Sequence, residues 1–408
     1  MEKKKNDFIA QGSILAIASI LVRVMGMIYR IPMTAIIGDK GNGFYSYAYS
    51  VYTILLLLSS YSLPLAVSKM VSAKAQLGQW RNVKRVFICA IAFAIGIGTT
   101  FGLIVLIGAQ FFTRVFFHSE LAAIALRFMA PTILIMALLG VFRGFFQGLQ
   151  NTLPTAVSQI VEGLINAIMS VVFAYFLFDF GHGMDAAGGT TDLGYAWGAA
   201  GGAIGTGAGA LAGLIFCFIL FVAYRKILAV NISRDKTGTQ QEYGDIFRLM
   251  LSIALPVILS TALYNLIELV DGSLFNNIMA SKGMEDVKDS MWGAYNAKAL
   301  LLVHIPVSIS SAMAVSLVPT LTAAYALGDE QTAKSKVHAI LRFISILAFP
   351  SAVGLLVLAN PIIKTLFSGD TSAASTYLQV VCPAVITFSF STITNSILQG
   401  IDRMNLPV

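Results

Sequence analysis

The chain has 408 residues, 57% of them hydrophobic and 12% charged, with a formal net charge of +7. Soluble domains carry about 25% charged residues; here the charges cluster between long apolar runs, which marks an all-α, polytopic membrane protein. A transmembrane β-barrel would alternate in segments of about 10 residues, nucleic acid is disfavoured because Lys and Arg lie at alternate ends of the runs, and the isolated Cys89, Cys217 and Cys382 indicate neither disulfide nor metal nor another cofactor.

The first apolar run, 8–37, follows a polar start from Met1 to Asp7. Its outline is that of a signal peptide, but its length, Arg23 and Arg30 mark an uncleaved membrane helix. Arg23 lies roughly 23 Å along it, slightly past the midplane. A guanidinium there costs at least about 2.5 kcal/mol unless it faces protein or water. Arg30 follows seven residues later on the same face, near the outer interface. Further helices are predicted at 44–71, 86–113, 121–147, 155–178 and 195–223. Arg143 and Glu162 flank the turn at 148–154 at similar depth and read as a structural ion pair. Gly198, Gly202, Gly205, Gly209 and Gly213 give the sixth helix a spacing for close helix contact.

The longest polar stretch, 224–248, reads as a cytoplasmic connector. Four more helices follow, at 249–279, 291–326, 340–367 and 376–401, for about ten in all. Glu268 and Asp271, three apart, share a face of the seventh. Lys298 lies about 10 Å inward from the outer end of the eighth. Pro32, Pro64, Pro306 and Pro319 interrupt helices one, two and eight and permit bends.

Near the helix ends, seventeen Lys and Arg fall on one side and five on the other. That asymmetry places both termini in the cytoplasm. An internal repeat is also legible. Gln147-Gly148 and Gln399-Gly400 are each followed by Leu-Pro, and Leu77-Gly78 matches Leu327-Gly328, at offsets of about 250 residues. Helices 1–4 therefore pair with helices 7–10, and the expected lobes are 1–223, with six helices, and 249–408, with four. The second lobe is expected to be incomplete, because it stops where its fifth helix would begin. Repeats in one orientation put a substrate path at their interface.

Arg23, Arg30 and Lys298 suggest a cationic cavity suited to a phosphate-bearing substrate. For Arg30 and Lys298 a second reading stays open, a side chain that snorkels to the headgroups. Glu268 and Asp271 either hold the empty cavity together or bind a coupling cation. No DxD or HExxH motif points to an enzyme acting on lipid-linked sugars.

The stretch Leu21-Val-Arg-Val-Met-Gly-Met-Ile-Tyr-Arg-Ile-Pro32, then Gly38, Gly41, Gly43 and Tyr45, then Ser62-Leu-Pro-Leu-Ala-Val-Ser-Lys69, together with Gln147-Gly148, Pro154, Ser158, Gln159 and Glu162, resembles the polysaccharide-transporter branch of the multidrug/oligosaccharidyl-lipid/polysaccharide (MOP) flippase superfamily, near its stage V sporulation and lipid II flippase members. The resemblance implies two six-helix lobes around a V-shaped cavity. It also implies transfer of an undecaprenyl-pyrophosphate-linked glycan to the outer leaflet, with membrane lipid as the other partner. In lipid II flippases, arginines of the first helix and a basic residue of the eighth line the cavity; Arg23, Arg30 and Lys298 match them. Their basic residue in the second helix has no counterpart between Ala48 and Ser68. The alternative within the superfamily is a cation-coupled multidrug exporter, which would favour acidic cavity residues.

Overall fold

Hydrocarbon offers a backbone N–H no partner, so a chain that crosses it closes its hydrogen bonds within helices. The computed structural model describes residues 2–401 except 61, 189–191, 239, 327 and 369–370; for 2–17, 187, 256–257, 259–264, 268, 315–316, 319–320, 323, 326 and 399–400 it describes the backbone alone. Among the described residues the regular structure is helical throughout. It comprises α1 (Glu2–Ser60), α2 (Leu63–Gln76), α3 (Trp80–Phe117), α4 (Ala122–Gly148), α5 (Leu153–Gly188), α6 (Leu193–Ser233) and α7 (Tyr243–Ser281). Then come α8 (Glu285–Ala294), a π-helical turn (Tyr295–Leu300), α9 (Leu301–Ala326), α10 (Glu330–Val357), α11 (Ala359–Leu366), α12 (Ser372–Val381) and α13 (Ala384–Gly400).

Among the described residues seven helices are long and apolar enough to cross a membrane, or eight if α12 and α13, bent by 43°, form one span. The sequence reading predicts ten. Part of the difference is one of counting: α1 holds the run 8–37 and most of 44–71, but a kink at Gly38 (φ +60°, ψ −175°) divides it where the sequence reading separates the two helices, and Pro32 lies inside the first. Pro64 sits in the first turn of α2, where its missing N–H costs nothing, and α9 runs on through Pro306.

The chain divides by packing into two compact units, Met1–Tyr29 with Phe44–Asp289, and Arg30–Gly43 with Ser290–Val408. The lobes drawn from the repeat rest on sequence offsets; the packing units place α7 in the first and the stretch 30–43 in the second. In the second unit α9, α10 and α13 pack on one another, and α12 lies against the π-helical turn.

In the first unit the most extensive pairing is α5 against α6. Glycines at every fourth position of α6 make it. A Cβ at Gly201 would collide with the backbone of Phe173 and Ala174, one at Gly205 with Ser170, and one at Gly209 would come within 2.6 Å of the Glu162 carbonyl oxygen. Near the start of α3 the core is filled by rings, with Phe87 stacked on Phe221 at 4.5 Å and Phe145 against both.

Both α5 and α6 overrun their apolar runs. α5 continues to Gly188 through the expected external loop, and the carboxylate of Asp185 accepts the backbone N–H groups of Leu193 and Gly194 at 2.9 Å, satisfying the start of α6. α6 continues to Ser233, so the 224–248 connector is non-helical only over 234–242. This short strap is tied to the start of α3. Asp235 accepts from the Arg81 N–H at 2.9 Å, Asn82 accepts from the Gln241 N–H at 3.0 Å, and Arg85 donates to the Gln241 carbonyl and lies over the Tyr243 ring. Two other turns are alike bond for bond at the repeat offset. Gly78 (φ +70°) and Gly328 (φ +69°) each donate three residues back and accept from the residue two ahead, and the next residue donates five back. A positive φ is the reason for glycine at both.

Two outcomes follow. Gly205→Leu should cost about 3 kcal/mol or more, read as a lowered melting temperature in detergent, whereas Gly26→Ala, inside a helix and with nothing within 4 Å, should leave the melting temperature equal or slightly higher. Hydrogen bonds from Arg81 and Thr237 hold the Asp235 carboxyl at about 2, below the ordinary 3.8. Its stabilisation is therefore complete above pH 3.8 and lost as pH falls through about 2. Asp235→Asn should speed hydrogen exchange at the Arg81 and Thr237 amides at neutral pH and flatten the acid end of the melting profile.

Candidate functional site

The stretch Gly38-Asp-Lys-Gly-Asn-Gly43 breaks α1 and sets up the most enclosed charge of the second unit. Asn42 Nδ2 donates to the Gly38 carbonyl at 2.7 Å and fixes the turn. Gly293 of α8 lies directly on the Asp39 carbonyl and the Gly43 amide; a side chain there would occupy the same space. That approach brings Asp39 to Lys298. The Lys298 Nζ donates to Asp39 Oδ2 at 2.8 Å and lies 2.7 Å from Oδ1, which receives no aligned hydrogen bond. The Lys298 side chain is 2% exposed and that of Asp39 is 23% exposed. Lys298 sits within the π-helical turn. Such turns are rare and cluster at functional positions.

In the first unit, Arg143 of α4 reaches two partners on α5. Its Nη2 lies 2.7 Å from Glu162 Oε2, and its Nε donates to Ser158 Oγ at 2.8 Å. Ser158 in turn donates to the Thr155 carbonyl at 2.8 Å. The side chains are 11% and 25% exposed, so both charges are substantially dehydrated. Beside them α1 packs on α5, with Ser19 donating to Gln159 at 3.4 Å and Val22 and Met25 against Gly163.

Arg23 lies one residue past Val22, off that packed face, and is exposed; among the described residues no ion pair engages it. Arg30 is half-buried and belongs to the second unit, as Lys298 does. Asp271 is exposed on α7. The side chain of Glu268 lies outside the described residues, as do residues 402–408, where the second copy of the repeat ends.

Sequence reasoning missed Asp39 and Lys288. Asp39 falls in a six-residue gap between two predicted helices, and an acid in a glycine-rich break between two apolar runs was the available signal. Lys288 is buried, and its ammonium donates to the carbonyls of Phe117 and His118 at 2.9 and 2.7 Å, closing the C-terminus of α3. Its sequence context gives no hint of that distant partner.

A family model described as polysaccharide biosynthesis protein matches residues 8–324, and a second model of that description matches 286–375. The chain is 26% identical over 410 residues to the lipid II flippase MurJ of Bacillus subtilis (strain 168), covering 97% of this chain and 73% of that protein. It is 23% identical to stage V sporulation protein B of the same organism, covering 98% and 74%. Among solved structures, an inward-facing multidrug resistance MATE family transporter of the MOP superfamily superposes with a TM-score of 0.71 at 14% identity, over 95% of this chain and 85% of that one.

Removing one partner of a dehydrated ion pair leaves the other charge uncompensated. Glu162→Leu should therefore destabilise the protein by about 3 kcal/mol. Adding Arg143→Met should return much of that loss, as read by thermal unfolding of the single and double variants.

Proposed function

We propose that this chain, which belongs to the polysaccharide biosynthesis protein family within the MOP flippase superfamily, moves an undecaprenyl-pyrophosphate-linked oligosaccharide or peptidoglycan precursor to the outer leaflet by alternating access. The observation that carries this reading is Arg23, an exposed guanidinium within an apolar span with no ion-pair partner among the described residues. An arginine cannot shed its charge. At that depth it is stable only beside water or an anion, and a pyrophosphate is the anion for which the guanidinium fork is best shaped.

On this reading Arg23, Arg30 and Lys298 receive the phosphates, while the lipid tail stays in the bilayer. Glu268 and Asp271 serve the resting cavity or a coupling cation. The chain is a multi-pass membrane protein, and the Lys and Arg asymmetry supports cytoplasmic termini in a bacterial plasma membrane. The names of the two Bacillus relatives, a lipid II flippase and a sporulation protein, support a cell-wall or spore-envelope glycan as cargo. A cation-coupled multidrug exporter is the second reading. It is favoured by the fold shared with the multidrug transporter and by exposed Asp271.

A charge-assisted hydrogen bond contributes about 1.5–3 kcal/mol. Arg23→Ala should therefore slow flipping of an undecaprenyl-pyrophosphate-linked glycan in proteoliposomes by about ten-fold or more, with unchanged elution on size exclusion. A fully active variant would remove Arg23 from the site. Drug resistance conferred on a sensitive host, with no flipping of the lipid, would select the exporter.

A further inference from the structure

We propose that Lys298 is an anion site held closed by Asp39, and that a phosphate of the lipid-linked headgroup opens it by taking the place of the Asp39 carboxylate. The proposal rests on the reading of Lys298 as a substrate residue and adds how access to it is controlled.

An ammonium carries three N–H donors and accepts nothing. Lys298 is 2% exposed, and among the described residues its only acceptors are the two oxygens of Asp39. One of these takes a hydrogen bond and the other only an ionic contact. A buried ammonium with donors left over sits in an incompletely satisfied environment, and low dielectric makes that costly. A pyrophosphate offers two anionic groups and more acceptor oxygens than one carboxylate, so it satisfies the same ammonium more fully.

The two partners differ in how they can leave. Lys298 is enclosed in the π-helical turn, whereas Asp39 keeps a quarter of its surface open. Asp39 also sits directly after the kink of α1. It follows Gly38, which already holds a positive φ, and Gly41 and Gly43 come after it. Its main chain is meanwhile anchored, by the contact of its carbonyl with Gly293 and by the Asn42 to Gly38 hydrogen bond. A side chain that can rotate away from a fixed backbone suits exchange of one anion for another.

The test uses the full chain in nanodiscs with undecaprenyl pyrophosphate as the probe. In the unaltered protein, carbodiimide coupling of Asp39 to an amine, followed by mass spectrometry, should be slow. It should accelerate several-fold when undecaprenyl pyrophosphate is added and stay slow with undecaprenol, which lacks the charge. Labelling that is unchanged or reduced by the pyrophosphate overturns the proposal, and this readout needs no variant to fold. In binding measurements Asp39→Asn should bind the probe about ten-fold more tightly, Lys298→Gln about ten-fold more weakly, and the double variant like Lys298→Gln. If Asp39→Asn binds as weakly as Lys298→Gln, the pair is a positioning pair and the exchange is wrong, though Lys298 remains a substrate residue. If Lys298→Gln binds as the unaltered protein does, the reading of Lys298 itself fails and the exchange fails with it.

Discussion

An ionised side chain below the headgroups must find a partner of opposite sign, a route to water, or a ligand, because hydrocarbon supplies none of these. Much of the architecture follows from how each embedded charge meets that demand. Arg143 meets it locally, through Glu162 and Ser158 one helix away. Lys298 meets it through a carboxylate 259 residues earlier in the chain. Arg23 has no ion pair among the described residues. The three charges thus form a gradation, from well satisfied to singly paired to exposed.

The same demand applied to the backbone explains the glycines. Where α5 and α6 approach closely, van der Waals contact between main chains replaces side-chain packing, and only glycine at 201, 205 and 209 permits it. Where helices must stop and reverse, Gly78 and Gly328 adopt the left-handed conformation in turns that share the same hydrogen bonds at the glycine and the residues on its C-terminal side, 250 positions apart. Gly38 serves a different purpose. It breaks a helix without ending it, and leaves Asp39 on the short stretch that packs with the second unit.

Legibility followed the range of each interaction. Apolar run length marked the helices, since hydrocarbon thickness sets it. It did not show that α5 and α6 continue to Gly188 and Ser233, because Asp179 in one and Arg225 and Lys226 in the other interrupt the apolar runs. Arg143 and Glu162 were readable as neighbours because a short turn folds one helix back on the other, and they stand 2.7 Å apart. The partner of Lys298 was not readable, since no local spacing encodes a contact across most of the chain. The kink of α1 falls at Gly38, in the gap expected between the first two helices, because glycine can leave the helical region, while Pro32 is held within the helix.

The buried ammonium of Lys288 has an implication for biosynthesis. It closes the carbonyl end of α3 across 171 and 170 residues. Translation delivers roughly 5–20 residues per second, so that end of α3 emerges some ten to thirty seconds before the lysine that completes it. In the interval its carbonyls must be served by water or by the insertion machinery. The C-terminal end of α3 is thus finished late, by a residue made after α1 to α7, and nascent chains stalled before position 288 should hold a frayed α3 terminus.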